Sequence, residues 1–132
     1  MKKTLTCAVA LSLLPALAMA WVADNRLTVN PLPDGSFEVI GAPGSAGSDY
    51  WCAAGDYALT VLGAQNNDRI FITRGRGEPQ TSDRKSSVQF SLSLPSGEEA
   101  ETGIFLSMKK VGDNLNASFA RNYCYDRKNL EF

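Results

Sequence analysis

The stretch SDYWCAAGDYALTVLG, residues 48–63, decides how the rest of the chain is read. Trp51, Cys52, Gly55, Leu59 and Leu62, with Ala58 beside them, recur at three- and four-residue spacing, which marks one face of a helix. Ser48 stands where an N-cap would, Asp49 puts a carboxylate in the first turn, and Gly63 supplies a stop. Gly55 lowers helix propensity. Its use, with Ala53 and Ala54, is to let the helix backbone lie close to a neighbouring layer. Cys52 is either a reactive thiol or half of a structural bond. Asp49 and Asp56 are seven residues apart and share a face, as do Tyr50 and Tyr57. They form a candidate acidic and aromatic binding edge, or a carboxylate pair of the kind used in glycoside hydrolysis.

The segments around this helix read as strands. RLTVNPLPDGSFEVIG (26–41) is a hairpin in which Leu27 and Val29, then Phe37 and Val39, alternate with polar residues about a Pro33-Asp34-Gly35 turn. Pro31 weakens the end of the first arm or places it at an edge. GAPGSAG (41–47) is a loop of small residues, RIFIT (69–73) a short strand, and RGRGEPQTSDRK (74–85) a mobile surface loop without a large apolar residue. In SVQFSLSLP, Val88, Phe90, Leu92 and Leu94 alternate strictly with polar residues. A second hairpin is expected over 104–119, with Ile104, Leu106 and Met108 on one arm and Leu115, Ala117 and Phe119 on the other. Alternating rather than continuously apolar strands predict an antiparallel sheet with one face covered. The expected fold is therefore α+β, an antiparallel sheet of about six strands with one helix packed on one face.

Residues 1–20 have the form of a cleavable signal peptide. Lys2 and Lys3 precede an apolar run that ends in the small-x-small pattern Ala18-Met19-Ala20. Cys7 lies too early in this run, and in the wrong context, for lipidation. Loss of 1–20 leaves one domain, residues 21–132, of 112 residues. With Lys2 and Lys3 gone, 11 basic side chains face 14 acidic ones, a net charge of −3. That balance predicts neither nucleic-acid binding nor attraction to an anionic membrane, and no later segment is apolar enough to insert in one. Two cysteines remain, Cys52 and Cys124, and an oxidising compartment outside the inner membrane would join them. Their closure of a long loop would stabilise the domain by roughly 4 kcal/mol.

The chain contains no histidine. This excludes Ser-His-Asp and Cys-His catalysis and most zinc sites, and there is no Cys-x-x-Cys redox pair. Two Ser-x-x-Lys spacings, Ser82/Lys85 and Ser107/Lys110, fall on a polar loop and a strand rather than at the start of a buried helix. Glu98, Glu99 and Glu101 lack the ligand order of a calcium loop. Asn116-Ala-Ser118 has the form of a glycosylation site but follows a leader of bacterial type. The aromatic end at Phe132 does not make a membrane barrel, because Asp126 and Lys128 would face lipid. No metal or cofactor is expected.

Two contact regions remain. One is the basic patch of Arg74, Arg76, Arg84 and Lys85, joined in sequence by Arg69. The other is the helix edge of Asp49, Tyr50, Asp56 and Tyr57. The expectation is a periplasmic or secreted non-catalytic protein that binds another envelope or extracellular protein or polymer. An inhibitor of a hydrolase such as a lysozyme or protease is the alternative, and a small hydrolase a third.

Overall fold

The computed structural model describes residues 20–100 and 108–126. Almost all of the leader, the expected strand positions Ile104 and Leu106, and the tail from 127 onward lie outside these residues. Within them the chain forms β1 (Trp21–Val22), β2 (Thr28–Pro31), β3 (Phe37–Ile40), α1 (Gly47–Thr60), β4 (Arg69–Gly77), β5 (Ser87–Ser91), β6 (Asn114–Asn116) and α2 (Ala117–Asp126). The sheet is antiparallel throughout, in the order β1-β2-β3-β5-β4-β6.

The β2–β3 hairpin forms as its sequence requires. Thr28 pairs with Ile40 and Pro31 with Phe37, and Gly35 takes φ +88° at the turn. Pro31 closes the strand at its inner end. On one face of the sheet Val29, Val39, Phe37, Phe90, Val88, Ile70 and Ile72 make a continuous apolar surface. α1 lies on this surface. Trp51 packs its ring 5.0 Å from that of Phe90, and Tyr57 packs 4.7 Å from Phe37 and 5.6 Å from Trp21.

The structure has two helices where the sequence pattern gave one. Asn116 ends β6 and its side-chain Oδ1 accepts from Phe119 N at 2.7 Å, which caps α2. Ala117, Ala120 and Cys124 are then buried on one helical face. The expected arm through Leu115, Ala117 and Phe119 is therefore a three-residue strand followed by a helix, and Phe119 is exposed. α2 packs on α1 rather than on the sheet. At the crossing, a Cβ on Gly55 would lie 2.9 Å from the Cβ and carbonyl carbon of Ala120, and closer still to the backbone nitrogen of Arg121. Gly55 thus serves close approach, as expected, but to a second helix.

Cys52 and Cys124 form a disulfide with Cα atoms 4.8 Å apart. It joins α1 to α2, not a helix to the end of a strand. With the sheet on one side and α2 on another, α1 is buried on every side from Asp49 to Ala58. Among the described residues no helix is long and apolar enough to cross a membrane.

Candidate functional site

Three of the four cationic residues of the expected basic patch meet in one place. β4 does not stop at Thr73 but runs on through Arg74, Gly75 and Arg76 to Gly77. Arg76 is thereby carried to the end of the sheet beside the 41–46 loop. There a groove of about 890 Å³ opens, lined by Gly41 to Ser45 and by Arg76, Asp83, Arg84, Lys85 and Ser86. Arg76 is held in place. Its guanidinium lies 5.0 Å from the centre of the Tyr50 ring, and Nη2 donates to the Ser45 carbonyl at 3.1 Å. Beneath it the Tyr50 hydroxyl bonds Ser86 Oγ at 2.9 Å, and Gly41 N donates to the Ser86 carbonyl at 2.9 Å. Any side chain at 41 would collide with Tyr50, since a Cβ would come within 2.9 Å of its Cζ. Arg84 and Lys85 are exposed and complete the lining.

Arg74 is absent from the groove because it points across the sheet to Glu38. Phe37 and Val39 face α1, so Glu38 between them faces the other side of the sheet. Among the described residues no helix covers that side, yet Glu38 is fully buried. The cover is the 78–82 segment, folded back over the strand. Gln80 N reaches both carboxylate oxygens at 3.0 Å, and Thr81 donates from its N at 2.9 Å and its Oγ1 at 2.7 Å. From the sheet, Gln89 Nε2 donates at 2.8 Å, Ser87 Oγ at 3.1 Å and Arg74 Nη2 at 3.4 Å. Arg74 also donates to Ser87 Oγ and to the Glu78 carbonyl. Asn30 Nδ2 donates to Thr81 Oγ1 at 2.8 Å. Burial pushes the Glu38 carboxyl up, but the donors from Gln80, Gln89 and Thr81 outweigh it and hold the group at about 2. The 74–85 segment is therefore not the free loop that its polarity suggested: its first part is strand and its middle is clasped to the sheet.

Glu38 was not legible as a site residue. In FEVI it occupies the outward position of an alternating strand, where a carboxylate is ordinarily solvated. The available signal was its set of neighbours. Gln89 lies opposite Glu38 in the pairing register and Ser87 opposite Ile40, so three polar groups gather on one face.

The helix edge of Asp49, Tyr50, Asp56 and Tyr57 is not a surface. Tyr50 and Tyr57 belong to the core, and both aspartates are buried. The physical reason is the 23–26 turn after β1, which lies over that face of α1. Asp24 N donates to Asp56 Oδ2 at 2.9 Å, and Asn25 Nδ2 donates to the Asp49 carbonyl at 2.8 Å. Asp56 Oδ1 accepts from Thr60 Oγ1 at 3.2 Å and lies 3.6 Å from Arg121 Nε. Asp49 Oδ2 accepts from Ala46 N at 2.8 Å, and helix α1 starts at Gly47 with Ala46 as its cap, two residues before the expected Ser48. The Asp56 carboxylate thus ties the turn, α1 and α2 together, while that of Asp49 closes the start of α1 beside a small pocket that Asp56 does not line, so the two do not share a cleft as a hydrolytic pair would.

Ser82 and Lys85 lie on the exposed loop, where Ser82 Oγ accepts from Arg84 N at 3.1 Å. Ser107 and Glu101 fall outside the described residues. Among those described, no group of three or more acidic, cysteine or histidine side chains is placed to hold a metal ion. Neither a protein-family model, nor a curated protein, nor a solved structure matches the chain.

Proposed function

We propose that this chain is an exported, non-catalytic binding protein of the bacterial envelope that holds an acidic segment of another envelope or extracellular protein in the groove between the 41–45 and 83–86 loops. The observation that carries the reading is the convergence of Arg76, Arg84 and Lys85 on that one groove, in a chain of net negative charge. A cationic cleft on an acidic body attracts an anionic segment while the remaining surface repels acidic protein elsewhere. A polypeptide suits the groove better than a uniformly charged polymer. Asp83 interrupts the cations, and the facing wall offers Ala42, Pro43 and backbone groups to a mixed chain. Export is supported by the leader-like form of residues 1–20 and by the disulfide, which persists in oxidising compartments.

One observation favours the alternative, a hydrolase inhibitor. The loop carrying Arg84 and Lys85 is clasped by Glu38, and a pre-ordered loop enters an enzyme cleft with less entropy to lose.

The test is a titration of residues 21–132 against a fluorescent oligoglutamate peptide, followed by polarisation. The expected result is saturable binding that weakens with salt and falls at least tenfold when Arg76, Arg84 and Lys85 are all changed to Glu. Equal affinity of the triple variant would refute the groove. Preference for a polyanionic saccharide over the peptide would assign the site to a polymer. Inhibition of a lysozyme or protease by the same face would select the inhibitor.

A further inference from the structure

We propose that Glu38 is the positioning residue of the basic groove: its carboxylate, buried on the side of the sheet away from α1, fixes the Gln80–Thr81 backbone and so sets where Arg84 and Lys85 stand in the groove lining. The inference deepens the groove reading and rests on it.

The 78–86 segment contains no large apolar residue, so hydrophobic burial cannot place it. Its position must come from polar contacts, and most of these converge on one group, beside the bonds from Arg74 to the Glu78 carbonyl and from Gln89 Nε2 to Gln80 Oε1 at 3.1 Å. Gln80 and Thr81 donate three hydrogen-bonding groups to Glu38, and Asn30 adds a contact from β2 to Thr81. Beyond Ser82 the chain is exposed until Ser86, whose carbonyl and hydroxyl are fixed by Gly41 and Tyr50. Arg84 and Lys85 thus hang on a short span between two anchored points, Thr81 and Ser86. Release of the Glu38 bonds leaves the first anchor with only the weaker ties from Asn30, Gln89 and Arg74. The carboxylate suits this task because it carries enough lone pairs to accept from the loop and from the sheet at once. A neutral amide in its place offers one acceptor oxygen and turns an NH₂ group toward other donors.

The experiment compares the unchanged protein with Glu38→Gln and with Thr81→Val, which loosens the clasp from its exposed end should the buried change impair folding. Two quantities are read in each: backbone ¹⁵N order parameters at 80–85, and the affinity for the oligoglutamate peptide with its salt dependence. Ordered amides near 0.85 in the unchanged protein are expected to fall below about 0.6 at 83–85 in Glu38→Gln, and less far in Thr81→Val. If the binding-competent loop then occupies about a tenth of the population, the apparent dissociation constant rises about tenfold. The slope of affinity against salt is expected to flatten as Arg84 and Lys85 disengage. A folded Glu38→Gln protein whose 83–85 amides stay ordered overturns the proposal. Loosened amides with unchanged peptide affinity and salt slope overturn it too, since the clasp would then be structural only. If the unchanged protein ignores the peptide while the clasp opens as described, the groove reading fails and the placement of Arg84 and Lys85 by Glu38 stands.

Discussion

Changing Gly55 to Ala sets helix propensity against packing, and the structure decides the sign. In an isolated helix the substitution gains about 1 kcal/mol, because glycine gives up more backbone freedom. In α1 the new methyl group would lie 2.9 Å from the carbonyl carbon and Cβ of Ala120, and nearer to Arg121 N. These are backbone-anchored atoms of α2 and cannot swing aside as the tip of a long side chain would. The two helices would have to separate by a fraction of an ångström. Cys52–Cys124 opposes this, since each cysteine lies about one turn from the point of collision. Overpacking a closed contact costs about 1–3 kcal/mol, and a contact this short against backbone belongs in the upper part of that range, about 2–3 kcal/mol; less the propensity gain, the expected outcome is a net loss of about 1–2 kcal/mol. For a domain of this size that lowers the melting temperature by roughly 4–8 °C per kcal/mol. Denaturant unfolding of the oxidised protein, with calorimetry beside it, gives the number. Repeating the comparison with both cysteines changed to Ser supplies the coupling. Helices free of the crosslink separate more easily, so Gly55→Ala is expected to cost less in that background. A Gly55→Ala protein as stable as the parent, or more so, would refute the claim that α1 and α2 meet at their backbones.

Further predictions concern the charged anchors and the crosslink. Glu38 ionises at about 2 in the fold against 4.5 ordinarily, so its stabilisation is complete above pH 4.5 and is lost as pH falls toward 2. The loss is on the order of 3 kcal/mol and should be absent in Glu38→Gln, as read by denaturation at stepped pH. Asp56→Asn removes the charge that faces Arg121 and weakens the acceptor for Asp24 N. A cost of about 1–3 kcal/mol is expected, with faster amide exchange across 23–26, and unchanged exchange there would contradict the role of this carboxylate. Changing Cys52 and Cys124 together to Ser is expected to cost roughly 4 kcal/mol by the closed-loop entropy argument. Exchange should rise first in α2, because β6 and α1 hold it otherwise; uniform loosening of the sheet would argue against that order.

The strands and the helix were legible to the extent that their contacts repeat locally. Alternation in 27–39 and 88–90, the Pro33-Asp34-Gly35 turn and the small residues of 53–55 each report a single neighbouring layer, and each appears in the fold. The period failed at 115–124. Leu115, Ala117 and Phe119 alternate, but Ala117, Ala120 and Cys124 also share a helical face. The cap from Asn116 and the crosslink to α1 accompany the helical arrangement. β1, at two residues, is too short to show a period.

The candidate site divides in the same way. The basic residues of 74–85 were visible as composition, and three of them share the groove. Which three is a matter of strand register. Arg74 and Arg76 differ by two positions in one strand, yet bulges in the β4–β5 pairing send the first to Glu38 and the second over Tyr50. For Tyr50, Tyr57, Asp49 and Asp56, helical spacing gives direction but not what lies opposite.

By itself, then, the sequence determined the antiparallel layer, the core helix, the pairing of two cysteines and the absence of imidazole chemistry, since all of these follow from residue type and near-neighbour periodicity. Tertiary structure alone decided that the aspartates are internal ties, that Glu38 is buried beneath a polar strap, and that three cations converge. The carboxylates depend on partners 32 to 51 residues distant, and the free energy of a carboxylate is set by the donors that reach it, not by its place in a periodic pattern.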